Sequence, residues 1–347
     1  MLKSMLDALA LPPVPANRQT LVRTLLQEEY GVIPPVDCRV EGRVMREDRR
    51  FCAGKAPLKT VELTLTLPQG TCAFPVQLAV PRAPGEHPLL VLLNFSPDVP
   101  DCYLPSEEIA DRGYAVLSVG YQDVSPDADD GFATGLGRLL RAAAREAGVP
   151  QAQLPGKLAV WAWAASRMLD WALTQPGVRQ ERTALVGHSR LGKTALLAGM
   201  LDERFACVFA NASGCSGAAI TRGKRGEHVR DITGTFPFWF CENYRRYADN
   251  EAALPFDQHW LLAAQAPRLT YVSSAEDDEW AGPEHEFLSC VAAGGAWETG
   301  LVTPDRLPRC GEALHEGCLG YHLRPGMHYL SREDWGRFLD FLDRRWK

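Results

Sequence analysis

Ala184-Leu-Val-Gly-His-Ser-Arg-Leu-Gly-Lys-Thr-Ala-Leu-Leu-Ala198 reads as a short apolar strand, a tight turn at Gly187-His188-Ser189-Arg190, and a helix. Serine sits at the apex. Such a turn is strained and needs small neighbours. It lifts the Ser189 hydroxyl above the sheet and aims the backbone N–H groups of the helix start at one point, where they can hold an oxyanion. The usual pattern has glycine two residues after the serine. Here Leu191 takes that place and Gly192 follows, so the match to GxSxG is partial. The same letters from Gly187 to Thr194 also satisfy GxxxxGKT, a phosphate-binding string. The strand lies deep in the chain and no partner aspartate for Mg²⁺ stands out, so nucleotide binding is the remote alternative.

Outward from this turn, the chain alternates strands and helices. Leu89–Leu93, Tyr114–Val119, Thr183–Val186, Ala206–Ala210 and Leu269–Val272 are aliphatic runs of the kind buried on both faces of a parallel sheet. Residues 58–67 alternate apolar and polar side chains, which predicts a half-buried antiparallel strand. Helices are expected at Ser106–Gly113, over Gly156–Gln175 with Trp161, Trp163 and Trp171 packed in the core, and at Arg332–Arg345. This pattern gives an α/β class: a mostly parallel central sheet with helices on both faces, a three-layer sandwich. At roughly 100–200 residues per domain, two domains could fit. No linker or repeat divides the chain, so 1–347 is read as one domain, with 1–50 as a helical and extended N-terminal extension packed on it.

Composition narrows the partners. The 37 basic and 43 acidic residues leave a net charge of −6, which offers nothing to phosphate backbones or anionic lipid. No apolar run approaches the roughly 18 residues of a spanning helix. Asp7, Pro12 and Pro13 interrupt the first apolar stretch, which is unlike a secretory signal, and a cytoplasmic address is expected. The ten cysteines form no CxxC pair or Cys/His cluster, which predicts mostly buried, reduced thiols and no metal.

A serine hydroxyl needs a histidine base, and the base needs a carboxylate to fix its tautomer. On a serine-elbow sheet the chain order is Ser, acid, His. The acidic turn Glu276-Asp-Asp-Glu-Trp280 follows the strand at Leu269 and supplies the acid; Asp278 is chosen, with Glu276 and Asp277 as alternatives. His328, in the loop before the last helix, is the base. His322 reads as a hydrogen-bonded core residue, and His188 is expected to point away from the nucleophile.

These segments together resemble the glucuronoyl esterases of the α/β-hydrolase superfamily, particularly the bacterial members. The likeness runs through Gln27–Pro34, the tryptophan-rich helix, Gly187–Lys193, Ser213–Ala219, Phe236–Cys241, Asp257–His259, Asp278–Pro283 and Gly326–His328. It implies the α/β-hydrolase fold, Ser189 as nucleophile, His328 as base, Arg190 as oxyanion-hole donor, and Lys193 and Trp280 as contacts to the uronate. Trp239, in the Phe236–Cys241 segment, is counted with them. Two departures stand out. Some members take their acid from a glutamate where this chain has Ala212, and the Asn94–Asp98 loop carries Pro97, which is expected to alter the pocket wall. The basic turn Arg222–Arg225 reads as a solvated loop.

The resulting expectation is a serine carboxylic-ester hydrolase acting on a small-molecule carbohydrate ester, specifically a (4-O-methyl)glucuronate ester, without cofactor or metal. No nucleic-acid or membrane partner is expected, and the protein should be a monomer or small homo-oligomer. An acetyl-sugar (acetylxylan-type) esterase is the alternative. A catalytically inactive hydrolase fold that binds carbohydrate is a third reading.

Overall fold

The computed structural model describes all 347 residues. Ten strands form one sheet in the order β1-β2-β3-β5-β4-β6-β7-β8-β10-β9. The strands are β1 (Arg39–Asp48), β2 (Leu58–Leu67), β3 (Gly70–Ala79), β4 (His87–Asn94), β5 (Ala115–Gly120), β6 (Val178–His188), β7 (Cys207–Asn211), β8 (Leu269–Ala275), β9 (Ala313–Leu314) and β10 (Leu319–Arg324). From β5 to β10 the pairing is parallel; β1–β3 and β9 extend it antiparallel at the two edges. The fold is the mostly parallel α/β sandwich expected, as an α/β-hydrolase sheet. The exposed edge strand β1 was not anticipated, because its charged residues carry no apolar alternation.

The aliphatic runs are continuous because both faces are covered. In β4, Leu89, Val91 and Leu93 enter the larger core, beneath the helices Lys157–Ala172, Arg190–Leu201 and Pro283–Ala293. Leu90 and Leu92 turn to the opposite core, under the helices Ser106–Asp111 and Arg332–Trp346. A period-two strand with no polar face is the signature of such a covered sheet.

The tryptophan-rich helix Lys157–Ala172 packs as expected for Trp161, which is buried and donates from Nε1 to Ser125 O at 3.0 Å. Trp171 lies so close to the edge strand that a Cβ on Gly42 would stand 2.1 Å from its Nε1. The first residues run through helices Leu2–Leu9 and Arg18–Leu25 before reaching β1. The latter helix is capped by the Asn17 side chain and held by Arg18 donating to Met200 O at 2.7 Å. All ten cysteines are free thiols, but only four are buried; Cys102 and Cys310 are exposed, contrary to the expectation of mostly buried sulfur.

Register lines up the carboxyl ends of four parallel strands. His188 pairs with Asn211, Asn211 with Ser273, and Ser273 with His322. Loops leaving β6, β7, β8 and β10 therefore start from one rim, the edge at which open α/β sheets gather reactive groups.

Candidate active site

Ser189 occupies the single-residue turn between β6 and the helix Arg190–Leu201, with φ 58° and ψ −126°. Positive φ in a side-chain-bearing residue is uncommon and concentrates at functional sites. The turn closes because Gly187 has no side chain: a Cβ there would lie 1.9 Å from Leu191 O. The departure from GxSxG has a packing reason. Leu191 is wholly buried in the core, and the close approach to the end of β7 falls on Gly192, where a Cβ would lie 3.2 Å from Asn211 O and 3.0 Å from Ser213 Cβ just beyond it. The helix starts at Arg190, so Gly192, Lys193 and Thr194 are already helical. Thr194 Oγ1 donates to Arg190 O at 2.9 Å and Lys193 Nζ to Ser213 O at 2.5 Å. The GxxxxGKT string thus forms no phosphate-cradling loop.

His328 and Asp278 meet across the rim. His328 Nδ1 and Asp278 Oδ2 are 2.6 Å apart; with the proton on Nδ1, the other ring nitrogen is free to accept one. Two backbone bonds draw their loops together, Glu276 N to Arg324 O at 2.9 Å and Asp277 N to Gly326 O at 3.1 Å. Of the three candidate acids only Asp278 is buried; Glu276 and Asp277 are exposed. Burial pushes the Asp278 carboxyl up, but the hydrogen bond and charge of His328 outweigh it and hold the group below the usual range.

The loop bearing His328 is shaped from beneath. Arg324 Nε donates to Asp334 Oδ2 at 2.8 Å, and its two terminal nitrogens reach the carbonyls of Pro325 at 2.9 Å, Met327 at 3.0 Å and Tyr329. Asp334 also bonds His322 Nε2 at 2.9 Å, which makes His322 the hydrogen-bonded core residue expected.

Ser189, Arg190, Lys193, Asp278, Trp280 and His328 line one cavity of about 330 Å³, together with Ser213, Glu227, Phe236 and Trp239. Every first-choice site residue therefore lies at this cavity, and the alternative acids Glu276 and Asp277 do not. Ser189 Oγ makes no hydrogen bond to His328 or any other protein group, and the two side chains share the cavity wall; such a contact can tighten in the Michaelis complex. Lys193 is buried, which lowers its ammonium from the usual value. Trp280 is 58% exposed at the cavity mouth, whereas Trp239 is buried and donates from Nε1 to Asp127 Oδ1 at 2.7 Å. Arg190 is paired with Asp127, and its Nε is buried without a partner.

His188 is not among the residues lining the cavity; its Nδ1 faces Asn211 Oδ1, and its ring lies 4.5 Å from that of His328. Two expectations need correction. The Asn94–Asp98 loop does not line the cavity; Phe95 packs behind His188 instead. The basic turn is solvated only in part: Arg225 is exposed, but its two other cations are engaged. Arg222 Nη1 reaches Asp257 Oδ2 at 3.0 Å and Phe256 O at 2.8 Å. Lys224 is buried and ties the carbonyls of Glu227 and Trp280, at 2.5 and 3.2 Å.

Sequence reasoning missed Asp127, Glu227 and Glu286. Glu286 is wholly buried and accepts from Ser213 Oγ at 3.1 Å, Gly214 N at 2.8 Å and Ser274 Oγ at 2.7 Å. It fixes the turn whose Ser213 carbonyl holds Lys193. Its place inside a helix that reads as plain core packing gave no signal.

Known proteins resemble this chain in sequence and fold. Residues 150–299 match the family model described as glucuronyl esterase, fungi. A prokaryotic protein named carbohydrate esterase MZ0003 is 38% identical over 240 residues, 68% of this chain and 55% of that protein. The 4-O-methyl-glucuronoyl methylesterase of Podospora anserina is 28% identical over 299 residues, 82% of this chain and 56% of that one. The chain thus spans about half the length of these relatives. The structure of a glucuronoyl esterase from Solibacter usitatus superposes with a TM-score of 0.86 at 29% identity, over 97% of this chain and 98% of the other. A promiscuous CE15 esterase from a marine bacterial metagenome gives 0.85 at 29% identity, over 94% and 90%. With a serine turn, a histidine–carboxylate pair and a near-complete superposition in agreement, the chain belongs to the glucuronoyl esterase family.

Proposed function

We propose that this protein hydrolyses carboxylic esters of a glucuronate through an acyl-enzyme. The observation that carries the reading is the 2.6 Å pair between His328 Nδ1 and Asp278 Oδ2, on the same cavity as a serine held at positive φ. Ser189 Oγ attacks the ester carbonyl and passes its proton to His328 Nε2. Asp278 keeps the ring in the required tautomer and stabilises the imidazolium. The oxyanion is met by the backbone N–H at Arg190, which has no partner within the helix, and by the Arg190 side chain. Collapse expels the alcohol, which takes the proton from His328. Water, deprotonated by the same ring, then releases the uronate and frees the serine.

Lys193, Trp280 and Trp239 line the cavity where the sugar would sit. A flat indole at the mouth suits a pyranose face, and a buried ammonium suits its polar groups. The ten free thiols support the reducing, cytoplasmic address, in which small imported fragments are the substrate. Hydrolysis of a methyl glucuronate ester, compared with an acetylated sugar, tests the substrate class. Ser189→Ala should lower turnover by about 10⁶. Faster cleavage of the acetyl sugar moves the assignment to acetyl esters, and activity surviving in Ser189→Ala ends it.

A further inference from the structure

We propose that Asp127 is a positioning residue for this reaction, one buried carboxylate that sets both the Arg190 guanidinium and the Trp239 indole on the cavity wall. The inference rests on the esterase reading above. Asp127 is not itself among the residues lining the cavity, whereas Arg190, Trp239 and Phe236 are. It acts through them. Its side chain is 5% exposed and takes three donors from three separate parts of the chain. Oδ2 accepts from Arg190 Nη1 and from Tyr121 OH at 2.8 Å, and Oδ1 accepts from Trp239 Nε1 at 2.7 Å.

The consequence is a layered wall. Phe236 and Trp239 stack with centroids 3.9 Å apart and planes 3° from parallel. The Arg190 guanidinium carbon lies 4.5 Å from the Trp239 ring and 5.0 Å from that of Phe236. A planar cation beside aromatic faces can slide along them, since that attraction is weakly directional. The bond to Asp127 removes the freedom, because it fixes one edge of the guanidinium. With that edge occupied, Arg190 Nε remains a buried donor without a protein partner. A buried unpaired N–H is costly, so the placement of the guanidinium on this wall rests on its bond to Asp127. Tyr121 completes the clamp: burial and the Asp127 charge push its phenol up, so it remains a donor.

The neighbouring acids have other work. Asp130 pairs with Lys157 at 2.9 Å, and Asp129 is exposed.

The test is a double-mutant cycle on a methyl glucuronate ester, with Asp127→Asn, Arg190→Ala and the pair, and Asp129→Asn as the matched loss of charge. Asn keeps the shape of Asp127 but loses the charge that holds the guanidinium. We expect Asp127→Asn to lower kcat about 10-fold in the wild-type background and less than about 2-fold when Arg190 is already alanine. Equal factors in both backgrounds overturn the inference, since a general loss of structure is additive. Should Asp127→Asn fail to fold, Arg190→Lys answers the same question: lysine keeps the charge but not the planar fork, so a kcat near wild type overturns positional control. If Arg190→Ala has full kcat while Ser189→Ala is dead, the inference falls and the esterase reading stands. If Ser189→Ala is active, the reading itself has failed.

Discussion

The rings of His188 and His328 lie against each other, centroids 4.5 Å apart and planes 40° from parallel. The inner ring is buried, and its Nδ1 is 2.6 Å from Asn211 Oδ1, whose amide continues to Ser273 Oγ at 2.8 Å. Burial, with the neighbouring His328, pushes His188 down to about 4. It is therefore a neutral plate near neutral pH, and it adds no second positive charge beside the ring that must accept a proton. Replacing His188 by Ala should leave the His328 ring free to turn and lower kcat about 10-fold, with KM changed less than 2-fold. Steady-state kinetics with unchanged kcat would show that the contact has no bearing on turnover.

Exposure separates the three acids of the β8 turn. Asp278→Asn keeps the shape but supports the wrong tautomer, and a fall in kcat of about 10⁴ is expected. Asp277→Asn and Glu276→Gln remove exposed charges and should stay within a few-fold of wild type. Similar, mild effects at all three positions would place the acid elsewhere.

Gly187 and Gly336 make opposite predictions for the same substitution. A Cβ at Gly187 meets Leu191 O at 1.9 Å, while at Gly336, in the last helix, nothing lies within 4 Å. Gly187→Ala should cost on the order of 3 kcal/mol or more in urea unfolding. Gly336→Ala should gain about 0.5–1 kcal/mol from its better helix propensity and a less flexible unfolded chain. A Gly187→Ala protein of wild-type stability contradicts the tight turn.

Glu29 gives the stability a pH dependence. It is wholly buried, and burial raises its carboxyl from 4.5 to about 8. Between those values the native protein holds a proton that the unfolded chain has lost, so stability falls as pH rises from about 4.5 to about 8 and levels off above. The slope from this group is at most about 1.4 kcal/mol per pH unit. Gln258 Nε2 donates to Glu29 Oε2 at 3.1 Å, while Gln258 Oε1 is buried without a partner, an acceptor for a donor at position 29. Glu29→Gln should flatten the decline of Tm between pH 5 and 8; an unchanged slope assigns that decline to other groups.

Legibility in the sequence followed locality. The strands at 58–67 and 89–93 were readable from period and apolar content, and Ser189 from a turn written in consecutive letters. Asp278 and His328 were reachable because chain order on such a sheet restricts the choices. Asp127 was not: it sits in Pro126-Asp-Ala-Asp-Asp130, where nothing local distinguishes three aspartates that the fold sends to three surroundings. The contact of His188 with His328 was illegible for a related reason. Alternation along one strand gives the side of the sheet, but the neighbour it meets arrives on a loop 140 positions later, from His188 to His328.

Arg324 gathers three carbonyls from inside the molecule, so the loop around His328 owes its form to contacts on its inner side. On its outer side the two neighbours of His328 differ: Met327 is 74% exposed, whereas Tyr329 donates from its hydroxyl to Cys102 O at 2.9 Å and packs its ring 5.2 Å from that of Tyr103. The loop is therefore anchored on both flanks of the proton relay, and Met327 is the side chain that can be recut without severing an anchor.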